Sequence, residues 1–281
     1  MAIGDSKFIA TNIVTGGAVL INGTGGYSNP PTLVQNADFP LSNVLTEDRY
    51  TTWRWPTGTS GTATVDFDLG GDVTVLAAGV AGMKRSGTAT WNRWRVYYKT
   101  AATGYDGGGG ATVGWTPYGD AMFGAASPVL RDAIVEGLGA GQFWRFQSSS
   151  LVTSATAFSV GKFVLAASVV DLGIASSPGL VTRRVRPSAI EQTVGGVFVR
   201  TGLGMEHALL SVPFRTIQRA TLDKIVGLFY GSGSKTAALY ITPTGLVYEV
   251  VPRGDELEYT MVWADGTNEL YDAMLELEGM A

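Results

Sequence analysis

The 281-residue chain has no cysteine and a single histidine, His207. The first absence excludes disulfides and thiolate metal sites, and with them a small secreted disulfide scaffold. The second argues against histidine-based catalysis and multi-histidine metal centres. Charged residues are only 16% of the chain, so long solvated helices are not expected. A basic excess is also missing: net charge is −4 and the pI about 5.1, without the footprint of a nucleic-acid binder. No apolar run reaches the roughly 18 residues of a membrane helix. The start, Met1 to Lys7, lacks the basic end and apolar core of a signal peptide. These absences lead us to expect no cofactor, no metal, no nucleic acid and no membrane insertion. The simplest location is a cytoplasm, or a larger particle assembled there.

What is present is hydrophobic and turn-rich. Hydrophobic residues make up 45%, and 38 glycines without a collagen period fit many tight turns between short strands. The length allows two domains or one large β domain. Thr62 to Leu69 alternates, with Ala63, Val65, Phe67 and Leu69 on one face and Thr64, Asp66 and Asp68 on the other, the pattern of a half-buried strand. Val73 to Met83, Trp91 to Lys99, the stretch from Phe143 and Phe158 to Ala166 read as further strands. Composition turns small and polar within 166–180, so domains are expected over 1–168 and 174–281. In the second, Val194 to Val199, Met205 to Arg215, Ala237 to Ile241, Leu246 to Val251 and Glu258 to Trp263 are strand-like. Ile217, Leu222, Ile225, Val226 and Phe229 recur at helical spacing, which predicts one helix over Thr216 to Tyr230. The tail from Asn268 to Glu278 alternates and favours a strand.

Several clusters invite a functional reading. Trp53 and Trp55 flank Arg54 after a polar loop. They offer either an aromatic platform for a sugar, or a core plug beside an arginine paired with an acid such as Asp66. Asp66 and Asp68 lie two apart with no evident partner acid, which favours a salt-bridged strand face over a calcium or two-carboxylate site. Arg93 and Arg95 beside Trp91 and Trp94 fit core and rim packing better than nucleic-acid stacking. Arg183, Arg184 and Arg186 form the one local basic cluster, able to grip an acidic neighbour in an assembly or to act as a solvated linker. The Gly107 to Gly110 run lacks the Lys-Ser or Lys-Thr of a phosphate loop, and no serine lies in a Gly-x-Ser-x-Gly elbow. No catalytic constellation emerges, and the chain is expected not to be an enzyme.

The polar loop closing on Thr51-Thr52-Trp53-Arg54, followed by Val65-Asp66-Phe67-Asp68-Leu69-Gly70, makes residues 1–166 resemble discoidin-type domains. These are also called factor V/VIII C-type or galactose-binding-like domains. The strand Trp91 to Tyr98, the stretch Phe143-Trp144-Arg145-Phe146 and Val160-Gly161-Lys162-Phe163 complete the set, in the version found in bacteriophage tail proteins. Phe143 stands where a tyrosine is usual and Lys162 where an arginine is common. The resemblance implies a jelly-roll β-sandwich whose end loops bind glycans or other surface ligands.

Leu209 to Phe214, the helix, Ala237 to Ile241 and Tyr271 to Glu278 are similar in order to the β-rich ring-forming domains of phage distal tail and baseplate proteins. Together the two resemblances imply a mostly β structural protein of a phage tail tip or baseplate, located in the virion and assembled in the host cytoplasm. Its implied partners are other tail or baseplate proteins, further copies in a homo-oligomeric ring, and a host-surface glycan. A freestanding carbohydrate-binding module protein is the alternative reading.

Overall fold

The computed structural model describes residues 5–10, 12–14, 19–21, 41–45, 53–54, 64–82, 84–86, 94–105, 114–118, 133–148, 157–176, 181–185, 188–192, 198–202, 207–229, 238–243, 247–254, 257–265 and 268–279. In chain order the strands begin with β1 (Lys7–Ile9), β2 (Val19–Ile21), β3 (Trp53–Arg54), β4 (Thr64–Ala81), β5 (Lys84–Ser86) and β6 (Trp94–Lys99). There follow β7 (Thr116–Pro117), β8 (Ala133–Ser148), β9 (Ala157–Val160), β10 (Lys162–Ala166), β11 (Val170–Asp171) and β12 (Val181–Val185). Next come β13 (Ser188–Gln192), β14 (Phe198–Gly202), β15 (His207–Gln218) and the helix α1 (Arg219–Phe229). The last strands are β16 (Ala238–Ile241), β17 (Val247–Pro252), β18 (Glu258–Ala264) and β19 (Glu269–Gly279). The chain is mostly β with one α-helix among the described residues, as its patterning predicts.

Two compact units result. Thr11–Val169 form one, and Met1–Ala10 together with Val170–Ala281 form the other. The expected first domain began at residue 1, but β1 pairs with β16 and β11, so the first ten residues belong to the second unit. Phe8 explains why: it stacks on Tyr240 at 4.8 Å and meets Phe229 edge-on at 5.2 Å, in a core that excludes it from water entirely. Ser6 ties the same segment down, its N–H donating to the Ile174 carbonyl at 2.7 Å.

The first unit is a jelly-roll β-sandwich. One sheet runs β10-β4-β8-β6-β7, with β2 added beside β4; the other is β3-β9-β5. All pairings are antiparallel and neighbours are mostly non-consecutive. Val65 and Phe67 on β4, Phe146 on β8 and Trp94 on β6 meet Trp53 and Val160 of the second sheet in one core. Phe163 is its hub, with ring centroids of Phe146, Trp94, Phe67 and Trp53 at 4.8, 5.3, 5.7 and 6.4 Å.

Residues 62–69 and 73–83, read separately from the sequence, fuse into the single strand β4, which passes Gly70 at φ +76° with a register shift against β8 between Asp68 and Val73. Glycine is needed at Gly141 for another reason, since a Cβ there would stand 2.7 Å from the Lys99 carbonyl oxygen.

The second unit is a sheet of order β11-β1-β16-β17-β19-β15-β12, with β18 on β19, backed by α1. Leu222, Ile225 and Phe229 are the buried stripe of the helix, against Val212, Phe214 and Leu275 of the sheet. The helix starts at Arg219 rather than Thr216 because Ile217 and Gln218 still pair with Tyr271 and Leu270. Thr216 interrupts the ladder at φ 57°, a costly conformation for a β-branched residue, and its N–H donates to the Asp272 carboxylate at 2.8 Å.

Candidate functional site

The alternation of β4 sends Val65 and Phe67 into the core and Asp66 to the opposite face of the sheet. Arg145 of β8 lies directly across in register, and Tyr97 of β6 is next in the row. The guanidinium grips Asp66 with two bonds, Nε to Oδ1 at 2.8 Å and Nη2 to Oδ2 at 2.7 Å. Tyr105 donates its hydroxyl to Oδ2 at 2.9 Å. Trp115 lies over the guanidinium at 4.2 Å, and the Lys99 ammonium is 5.4 Å from the same ring. Both members of the ion pair are 0% exposed, roofed by Tyr97, Trp115, Phe143 and Tyr105.

The electrostatics follow from that enclosure. Burial alone would lower the Arg145 pKa, but the bonds and charge of Asp66 outweigh it and raise the net value. Burial, reinforced by the Asp66 carboxylate, pushes the Tyr105 phenol well above the usual tyrosine range, with Arg145 opposing. Both oxygens of Asp66 are engaged within the cluster, and its side chain is closed off from solvent. Asp68 is likewise occupied, accepting the Gly70 N–H at 2.7 Å and Gln142 at 2.8 Å.

The residues singled out from the sequence fall in different places. Trp53 is 1% exposed and packs on Phe163, so its ring faces are not open to a sugar. Asp66 is paired with Arg145 of β8. The Arg54 side chain and Trp55 lie outside the described residues, as does the Gly107 to Gly110 run. Trp94 is core and Arg95 exposed. Arg183 and Arg184 lie on β12, the strand at one end of the second unit's sheet, and Arg183 is exposed. The Arg184 side chain and Arg186 lie outside the described residues.

Sequence reasoning passed over two features. Arg145 was noticed only as part of an aromatic strand, although an arginine between Trp144 and Phe146 must face away from the core and needs an acid there. The other is β18. It was read as an ordinary strand, yet all seven of its residues are exposed: Tyr259 51%, Met261 50%, Val262 49% and Trp263 48%. Among the described residues β18 is bonded only to β19. Beside it opens a groove of about 710 Å³, lined by Pro213, Arg215, Glu258, Thr260, Asp272 and Met274 among others.

No known family description matches the chain, and no curated protein matches it. Solved structures do share similarity. Chitosan-binding module 1 from a chitosanase/glucanase of Paenibacillus sp. IK-5 is 13% identical with a TM-score of 0.37, over 55% of this chain and 98% of that one. CpGH89CBM32-5 of Clostridium perfringens, solved with GalNAc-β-1,3-galactose, is 10% identical with a TM-score of 0.37, over 55% and 99%. A GH29 fucosidase of Ruminococcus gnavus, solved with fucose, is 13% identical with a TM-score of 0.37, over 56% of this chain but 26% of the enzyme. Neither ligand nor activity passes from these proteins to this chain, whose sandwich is defined by its own strand pairing.

Proposed function

We propose that the chain is a non-catalytic binding and assembly protein. In this reading the sandwich unit contacts a surface ligand, and the sheet-and-helix unit joins the chain to further copies or partner proteins. The observation that carries it is β18, a seven-residue strand with every side chain exposed and four of them large and apolar. Strands at sheet edges offer unpaired backbone groups, and an apolar one left open favours docking. The locked state of Asp66 supports the non-catalytic half, since the acid that the sequence brings forward is spent on holding Arg145.

A phage tail tip or baseplate is the proposed setting, on the order of motifs shared with phage tail proteins. A glycan is the proposed ligand of the sandwich, on the discoidin-type resemblance of residues 1–166. A freestanding carbohydrate-binding module protein is the second reading, favoured by the jelly-roll architecture of Thr11–Val169.

Light scattering of the purified chain across concentration, run beside a glycan array, separates the two. Association into a defined oligomer, alone or with tail proteins, is the expected result. A strict monomer that binds a sugar tightly would overturn the assembly reading in favour of the second.

A further inference from the structure

Residues in β18 and β12 occupy the two outer edges of one four-stranded ribbon, β18-β19-β15-β12. Each neighbouring pair in it is antiparallel, so β18 and β12 run in opposite directions. If the β18 edge of one copy meets the β12 edge of another in the same orientation, the two strands are therefore antiparallel, and the ladder continues unbroken. Among the described residues β12 is bonded only to β15, and β18 only to β19.

The chemistry of the two edges is complementary. β12 carries Arg183 and Arg184, with Val181 42% exposed and Arg183 exposed. Around β18 the exposed acids Glu258, Asp265 and Glu269 outnumber the exposed Arg215 of the adjoining groove, and its strand has no Lys, Arg, Pro or Gly. Those are among the devices that normally guard an edge; the one it has is a bulge between Met261 and Trp263.

We infer that β18 docks on β12 of a second copy of this chain, head to tail, extending the sheet across the contact. The inference rests on the assembly reading above and names its partner and its two surfaces. By the register Val181 and Arg183 share one face of the sheet with Glu258 and Trp263, so in the contact Arg183 meets the acidic border of β18 and Trp263 gains cover from Val181 and the arginine stem. The two edges are staggered: β12 is beside residues 207–211 of β15, of which 208–211 pair with 276–279 of β19, whereas β18 is beside 269–274. Successive copies accordingly step along the strand direction. A contact of this kind closes into a ring where strand tilt absorbs the step, and otherwise gives a filament.

Sedimentation velocity of the full chain over a concentration series tests this, with near-ultraviolet circular dichroism confirming that each variant is folded. Met261→Lys blocks the β18 edge and Arg183→Glu with Arg184→Glu reverses the β12 edge; Trp263→Lys serves as a second β18 variant. Each is expected to raise the concentration for half-association at least tenfold. An equimolar mixture of Met261→Lys with the double glutamate variant keeps one altered and one intact edge on every copy. Because the intact β12 of the first meets the intact β18 of the second, the mixture is expected to stop at 1:1 dimers. High salt is expected to weaken association of the unaltered chain.

A loss of association with the β18 variants alone would mean pairing of β18 with itself and overturn the inference. Undiminished oligomers of all variants would overturn it too, while leaving assembly through another face intact. A monomer at every concentration would remove both this contact and self-assembly.

Discussion

Asp66 and Arg145 on β4 and β8 have no exposure at all, whereas Tyr259, Met261, Val262 and Trp263 on β18 are about half exposed. The sandwich hides a charged pair and the sheet-and-helix unit displays hydrophobes, each the reverse of what water would prefer. The difference lies in what surrounds them. In the sandwich every charge in the row is answered within the unit, by a bidentate bond, the Tyr105 hydroxyl and the Trp115 ring. On β18, among the described residues, the unit supplies one neighbouring strand, and Tyr259 meets Tyr271 edge-on at 5.8 Å. A cluster that satisfies itself is architecture; a strand left open is available to something else.

The most damaging change to the closed side is Arg145→Met. It leaves Asp66 buried without its counter-ion, and breaking such a pair typically costs about 3–5 kcal/mol. Urea denaturation should show that loss in the sandwich transition. Adding Asp66→Leu should recover most of it, because an apolar pair of similar volume replaces the ions. A single variant that stays as stable as the parent would mean that the clamp does not hold the sheet face.

Next in size is Gly141→Ala. Its Cβ would meet the Lys99 carbonyl oxygen at 2.7 Å, a backbone atom that cannot swing aside. Overpacking of this kind costs about 1–3 kcal/mol. Gly71→Ala, with nothing within 4 Å of the new methyl, is the matched control and should cost much less.

The pH dependence gives a gentler probe. Tyr105 and Tyr118 have pKa values raised chiefly by burial, so the fold favours their neutral forms. A raised folded pKa contributes stability fully present below the unfolded value, about 10 for tyrosine, and lost as pH rises above it. Thermal unfolding should therefore show the sandwich weakening from about pH 10 upward, and Tyr105→Phe should reduce that slope. Stability that is flat into this range would contradict the enclosure of the phenols.

The smallest effect is expected on the open side. Trp263→Ser removes a half-exposed ring, and surface changes of this sort usually shift stability by no more than about 0.5 kcal/mol. Self-association should suffer even so. A large loss of monomer stability would mean that β18 is part of the unit's own core.

Much of the fold was legible from periodicity. The two-residue alternation from Thr62 to Leu69 placed Val65 and Phe67 in the core and Asp66 opposite, and the spacing of Leu222, Ile225 and Phe229 identified the helix. What local pattern cannot carry is long-range pairing. Asp66 and Arg145 are 79 residues apart, and β1 joins a sheet whose other strands come from residue 170 onward. The helix start was displaced for the same reason, because Ile217 obeys its partner Tyr271 more than its own helical spacing. The site was less legible still. Trp53 beside Arg54 read as either a platform or a core plug, since sequence cannot distinguish a tryptophan that ends a loop from one that closes a core, and Trp53 is buried. Conversely, Tyr259 to Trp263 has the composition of a buried strand, and only the exposure of each of its residues reveals it as a surface.

The central claim, a closed charged clamp in one unit and an open docking strand in the other, is tested most directly by amide hydrogen exchange of the full chain at low and high protein concentration. Residues 258–264 and 181–185 are expected to gain protection as concentration rises, while the strands carrying Asp66 and Arg145 stay protected at both. Exchange in 258–264 that ignores concentration, or rapid exchange around Asp66 and Arg145, would contradict it.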